Sequence, residues 1–427
     1  MPSPQTILPW LLGGAIGAAG ILQGLHWKST RAPADLTELE NQLRTAAEEI
    51  ENLRHENESL RSLARGGGEL TVPQPLIDRA EQESGLRFLS APVIHRTTGE
   101  ALRDRIAAAI ESRLGPSGID DRQESYRLIG WLRPADHLLT QLTAVRSVDA
   151  SGWFDEATGE GWMLDKADLK NIPDQATLVG LLTRILFHQH FPPTPEYPGD
   201  DAARAREALH HGLAAGAEAR FLAEKARTDG FMPMRENQAL KQLLASLSPF
   251  LQGLASFPVV EGKGHADSLH VRGNEPLHAA FRNPPQTTRA IFRPGEPAGP
   301  IALELPATPG EPFLTESAGQ LGLLLWLKSH GDAAAASELA ATWKNDRYIL
   351  FPDGEVSAAV VWDIELDSAE AVDRLQAIAL GKTTALAAPG GNDAPRNRHL
   401  AVVRVSPTRL RFLNTAEAAT ATRLSGP

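Results

Sequence analysis

Four histidines stand close together in the sequence: His188 and His190 in the stretch LFHQH, and His210 and His211 in ALHHG. Imidazole is the commonest protein ligand for zinc and the usual carrier of protons near neutral pH, so these residues are the first candidates for chemistry. Their spacing argues against a metal. A helix brings residues i and i+4 to one ion, whereas side chains two apart or adjacent point to different faces. On helices, neither His188 with His190 nor His210 with His211 can chelate. His190 therefore reads as a structural histidine at a helix end, donating to the last carbonyls, with the other three partly exposed. The chain contains no His-Glu-x-x-His, no Gly-x-Ser-x-Gly and no Gly-x-x-x-x-Gly-Lys-Ser/Thr. EGKGHADS, residues 261–268, has the glycines of a phosphate loop without its Lys-Ser/Thr pair, and reads as a turn. Cysteine is absent, which excludes disulfides, thiolate nucleophiles and Cys-ligated zinc.

The elements that would carry the histidines are legible. An apolar-periodic helix is expected over about 174–190 and a second over about 201–227, joined by the proline-rich FPPTPEYPG. Before them, GWFDEATGEGWML reads as a hairpin turning at Ala157-Thr158-Gly159. Further upstream, a Thr97/Glu100 capping signal opens a helix in TTGEALRDRIAAAIESRL. Near the C-terminus the pattern predicts strands in RYILFPDG, SAAVVWDIEL and LAVVRVS, with a helix in SAEAVDRLQAIAL, which is a small α+β unit.

Taken in order, these motifs resemble a family of bacterial, extracytoplasmic, gluzincin-like metallopeptidases. Gly152-Trp153-Phe154-Asp155 and Thr158-Gly159 match its hairpin. Leu186 and Gln189-His190-Phe191 match the end of its metal-binding helix, and Ala208-Leu209, Gly212 and Ala214 match the helix that follows. Further similarity runs through LHAAFRNPPQTTRAIFRP, LAATWKNDRYILF and VVWDIELDSAEAVDRL, so that it covers roughly 86–380. The resemblance implies a zincin-like body. It also locates the departure from the family: Gly180 stands for the first zinc histidine, Leu181 for the base glutamate, Arg184 for the second histidine and His211 for the third ligand. A guanidinium stays protonated and repels Zn²⁺, so no metal, cofactor or catalytic residue is expected here. In the C-terminal part Trp343, Asp346, Arg347, Tyr348 and Trp362 match the family, and packing around a buried Asp346/Arg347 pair is the expectation.

The rest of the chain frames this body. Residues 6–27 form an apolar run free of charged side chains, long enough at ~1.5 Å per residue to cross a bilayer of ~30 Å. It lacks the basic n-region of a cleaved signal peptide and reads as an anchor. After Pro33 comes a heptad repeat, with Leu36, Leu43, Ile50 and Asn57 at one core position and Leu39, Ala46, Leu53 and Leu60 at the other. A core Asn is best satisfied by the same Asn of a parallel partner, and Glu49/Arg54 and Glu56/Arg61 add attractions in that register. With 427 residues, 42% hydrophobic, two or three domains fit, and a net charge of −11 argues against a nucleic-acid partner. The expected organisation is a transmembrane anchor (1–30), parallel coiled coil (34–65), linker (66–85), degenerate peptidase-like helical core (86–257), C-terminal α+β part (258–415) and tail (416–427). The fold class expected is α+β, mainly helical. Lys28 and Arg31 after the anchor favour a cytoplasmic body by the positive-inside rule; the resemblance favours the outside, which is the reading adopted.

The function these features imply is a membrane-anchored, homodimeric, inactive peptidase relative that acts by binding a peptide or protein ligand or by scaffolding. An active metal-dependent hydrolase with a relocated site and a purely structural envelope protein are the alternatives. For the heptad segment, a fragment spanning 33–65 should sediment as a dimer, and Asn57→Leu should raise its melting temperature while loosening its choice of oligomer. A monomer at high micromolar concentration, or antiparallel trapping through added terminal cysteines, overturns the dimer.

Overall fold

Residues described in the computed structural model are 68–427, apart from 115–117, 149, 195, 233–236, 297–302, 330–332, 356, 388–397 and 427. The apolar run and the heptad segment lie outside them. Among the described residues no helix is long and apolar enough to cross a membrane.

The body is α+β and mainly helical. Its first sheet has three strands in the order β1 (Ile94–Thr97), β3 (Glu160–Leu164), β2 (Gly152–Asp155), with β1 parallel and β2 antiparallel to β3. The β2–β3 hairpin turns where the sequence places it, with Gly159 at φ 74°. The segment expected as a linker instead contains α1 (Gln74–Ser84), whose buried face Leu76, Ala80 and Ser84 repeats every four residues. Between β1 and β2 come α2 (Gly99–Leu114), α3 (Gly118–Ile129) and α4 (Leu138–Ser147). The cap of α2 is Thr98, whose hydroxyl accepts from Ala101 N at 3.2 Å, rather than Thr97, which is the last residue of β1.

Two long helices follow. α5 (Ile172–His190) carries Pro173 in its first turn, where the missing N–H costs nothing, and is buried on nearly all sides from Ala176 to Phe187. α6 (Asp200–Thr228) starts with two acids and ends with Lys225 and Arg227, which suits the helix dipole at both ends. After α7 (Gln238–Ser246), α8 (Pro249–His270) lies against α6. The backbones touch: a Cβ on Gly212 would meet the carbonyl carbon of Gly262 at 2.1 Å, and one on Gly262 would meet Ala208 O at 2.2 Å. EGKGHADS is therefore helix, not turn; Gly262 serves close packing rather than chain reversal. The boundary expected between residues 257 and 258 also falls inside α8. Residues 67–427 form one compact unit with a continuous core that includes Leu102, Phe257, Trp326 and Trp362.

The chain continues through α9 (Asn274–Arg282), α10 (Thr288–Phe292), β4 (Leu314–Glu316), α11 (Gly319–Lys328) and α12 (Ala333–Ala340) to β5 (Trp343–Pro352) and β6 (Ala358–Leu366). It ends with α13 (Ala369–Ala387), β7 (His399–Ser406), β8 (Arg409–Thr415) and α14 (Ala418–Leu424). The five strands form an antiparallel sheet in the order β4-β5-β6-β8-β7. Helix α14 replaces most of the expected tail, with Thr420 and Leu424 buried one turn apart.

The expected Asp346/Arg347 pair does not form, because successive residues of a strand face opposite sides of the sheet. Asp346 is fully buried and accepts five hydrogen bonds: from Trp343 Nε1, Trp362 Nε1, Ser317 Oγ, and the N–H groups of Ala318 and Gly319 that open α11. The buried ion pair of this sheet is Arg411 with Asp363, bidentate at 2.7 and 2.9 Å.

One carboxylate ties the helical part to this sheet. Asp200, at the start of α6, accepts from Arg122 Nε at 2.8 Å, Tyr197 OH at 2.6 Å, Tyr126 OH at 3.0 Å and Tyr348 OH at 2.9 Å. These are all three tyrosines of the chain. Arg122 extends to Glu316 at 2.9 Å, and Glu316 receives Asp200 N at 2.9 Å. Burial opposes the charge on Asp200, but Arg204, Arg122 and the hydrogen bonds outweigh it and hold the carboxyl well below its ordinary range. Asp200→Ala should cost about 3–5 kcal/mol in urea melts, because Arg122 and Arg204 are left buried with too little counter-charge. A loss under about 1 kcal/mol would contradict this reading of the network.

Candidate functional site

The four positions at which the resemblance would put a zinc site come together. Gly180, Leu181, Arg184 and His211 all line one cavity of about 380 Å³. Helix geometry makes the walls. On α5, Thr177, Gly180, Leu181 and Arg184 follow the i, i+3, i+4, i+7 pattern of a single face. On α6 the stripe runs through Asp200, Arg204, Glu207, His211, Ala214 and Glu218, also one face. Gly152 and Trp153 of β2 complete that end.

Arg184 is buried and held in place. Its Nη2 donates to Glu156 Oε1 at 3.1 Å, and its guanidinium carbon lies 4.6 Å from the centroid of Phe154, a cation–π contact. Burial draws its pKa below the ordinary arginine value while Glu156 and Glu207 pull it back up. The cavity wall thus carries a paired cation at Arg184.

His211 faces Glu207 one turn away, with Nε2 to Oε1 at 3.8 Å, too long for a hydrogen bond. Burial and then the charge of Arg184 push it down to about 3, so it is neutral at pH 7. Glu207 is already engaged by Arg146. In the cavity wall His211 and Glu207 form a His/acid pair, and among the described residues no third ligand joins them. Among the described residues no group of three His, Asp or Glu side chains could hold a metal.

The other histidines are dispersed. His188 Nε2 lies 3.1 Å from Glu156 O, and its ring meets Phe154 edge to face at 5.7 Å. His190 bonds Arg87 O at 2.7 Å, a carbonyl ahead of β1, and not the last carbonyls of its own helix as expected. His210 packs edge to face on Phe281 at 4.8 Å and is pushed down to about 4, by burial first.

Glu218 is the residue that sequence reasoning missed. Its carboxyl lies beside Gly180, where an added Cβ would come within 2.2 Å of Oε1. Burial pushes it up to about 7, with Arg184 the charge that opposes the shift. Seven residues after His211, it belongs to the same face of α6, and that spacing was the available signal. Glu156, Arg146 and Arg113 were missed as well, since each reaches the site from a separate element.

No family model, no curated protein and no solved structure matches the chain.

The raised pKa of Glu218 has a defined sign in stability. The folded state keeps a proton that the unfolded state releases from about pH 4.5 upward. Stability therefore falls as pH rises toward 7, and the penalty is complete above that. Glu218→Gln removes the penalty. Its stability advantage over the parent should grow by roughly 1–3 kcal/mol between pH 5 and pH 8.5 in chemical denaturation. A constant difference across that range contradicts the buried acid.

Proposed function

We propose that this protein is a non-catalytic relative of the gluzincin-like metallopeptidases, anchored in the membrane by residues 6–27, dimerised through the heptad segment, and carrying its body outside the cytoplasm. It acts by binding an extended peptide segment in the cavity at the former metal position. The observation that carries this reading is the convergence of Gly180, Leu181, Arg184 and His211 on one cavity wall, with a paired guanidinium where a metal ligand would stand.

The strand beside that wall supports a peptide as occupant. β2 is an edge strand of its sheet, and Gly152 and Trp153 line the cavity. Leu164 N donates to Ser151 O at 3.0 Å, so antiparallel alternation turns the backbone groups of Trp153 toward β3 and those of Gly152 and Phe154 outward. An extended segment can add to such an edge through its own backbone, and this needs no metal. Hydrolysis by the lost mechanism would need a metal-activated water and a base, and Leu181 and Arg184 supply neither.

Elemental analysis of the purified body should find less than about one-tenth of a zinc per chain, with no chelator-sensitive proteolysis. Restoring the motif as Gly180→His, Leu181→Glu, Arg184→His and His211→Glu should create zinc binding only together with Glu218→Ala, because Glu218 occupies the space beside Gly180. One tightly held zinc in the parent overturns the proposal.

A further inference from the structure

The face of α6 that lines the cavity extends from Asp200 to Glu218, which at ~1.5 Å per residue is ~27 Å of helix. The cavity of about 380 Å³ runs along that face. Along it, nearly every ionic side chain is committed. Asp200 holds Arg122 and the three tyrosines, Glu207 holds Arg146, Arg184 holds Glu156, and Arg204 donates to Tyr126.

Glu218 is the exception among the carboxylates. It closes the stripe at the Gly180 end, lines the cavity, and makes no hydrogen bond or ion pair among the described residues. A partly buried acid that faces a cavity without a partner is available to a ligand. Small neighbours leave it accessible. Gly180 has no side chain to cover it, and Ala214 and Ala215 occupy the preceding turn of α6.

We propose that this end of the cavity is a subsite for a primary ammonium group, either the free amino terminus or a lysine side chain of the bound segment, and that Glu218 selects it. The proposal rests on the peptide-binding reading above and adds the chemistry of the occupant. A metal ion is disfavoured because Glu218 has no companion ligands. An anion is repelled by the ionised carboxylate. A compact ammonium suits a single carboxylate, whereas a guanidinium is planar and best satisfied by a bidentate pair approached in its own plane. Arg184 is bonded to Glu156 and seated on Phe154, and its charge only partly offsets the desolvation of Glu218.

The test uses the full chain in detergent, with n-pentylamine and 1-pentanol as probes, and a short peptide in four forms: with lysine or norleucine, and with a free or acetylated amino terminus. Binding is read by titration calorimetry at pH 7.5, where the Glu218 carboxyl is mostly ionised and a peptide amino terminus is still mostly protonated. Pentylamine should bind about tenfold or more tightly than pentanol, and Glu218→Gln should bring it to the level of the alcohol while the variant melts at or above the parent. Loss of affinity on acetylation assigns the subsite to the amino terminus, and loss on norleucine substitution assigns it to lysine. Equal affinity for amine and alcohol, or an amine preference that survives Glu218→Gln, overturns the subsite. If all four peptides bind alike, the cavity binds peptide and the ammonium subsite is wrong. If pentylamine binds through Glu218 and no peptide does, the subsite stands and the peptide-binding reading fails.

Discussion

The arrangement of the body depends on how one buried carboxylate, Asp200, is satisfied. An ionised acid removed from water needs charge and hydrogen bonds together, and Asp200 obtains them from four separate places: α3, Tyr197 in the loop before α6, the next turn of α6, and Tyr348 of the five-stranded sheet. Such a network is stable only if all its members arrive, so it penalises partial structures. It also fixes the first turn of α6. Everything further along that helix, from Glu207 to Glu218, has its position set by this start and by the glycine contact with α8.

That rigidity bears on the site. The cavity wall is held by packing and by paired side chains. Here α5 is packed on nearly all sides, and Arg184 is tied by one salt bridge and one aromatic face. The cavity persists because the helices on either side of it are fixed elsewhere, by Asp200 at one end of α6 and by the Gly212/Gly262 approach in its middle. Polar groups in the wall are then free to specialise. Most are paired, and the pairing makes the exception at Glu218 informative.

Periodic elements were legible in the sequence because local pattern decides them. Helices α5 and α6 begin within about two residues of where apolar spacing, Pro173 and the paired acids place them, and the β2–β3 hairpin follows from its turn residues. Gly180, Leu181, Arg184 and His211 line one cavity, and the relationship that singled them out stands as a proposal. What could not be read depends on long-range partners. The glycines of EGKGHADS have the composition of a turn, and only the presence of α6 against them makes them helical. Asp346 looked like a partner for its neighbour Arg347, yet the two indoles it satisfies include one sixteen residues away, and the helix it caps lies across the sheet. Helices α1 and α14 are short, with few apolar residues, and each is defined by the face it buries rather than by its own propensity.

The histidines show why residue type is a weaker guide than geometry. Two pairs adjacent in sequence end up serving a hairpin carbonyl, a loop carbonyl, a phenylalanine ring and a cavity wall. Their helical phases differ by about 100° per residue, so proximity along the chain separates them in space. Glu218 is the converse: remote from Gly180 by thirty-eight positions, it is brought into contact because both lie on the faces where α5 and α6 meet. Burial forces the polar contents of that meeting place either to pair or to wait for a ligand. Arg184 pairs with Glu156, and Glu218, on which the charge of Arg184 also acts, makes no ion pair of its own among the described residues. An unpaired acid in that position is a destabilising feature unless something enters the cavity to meet it.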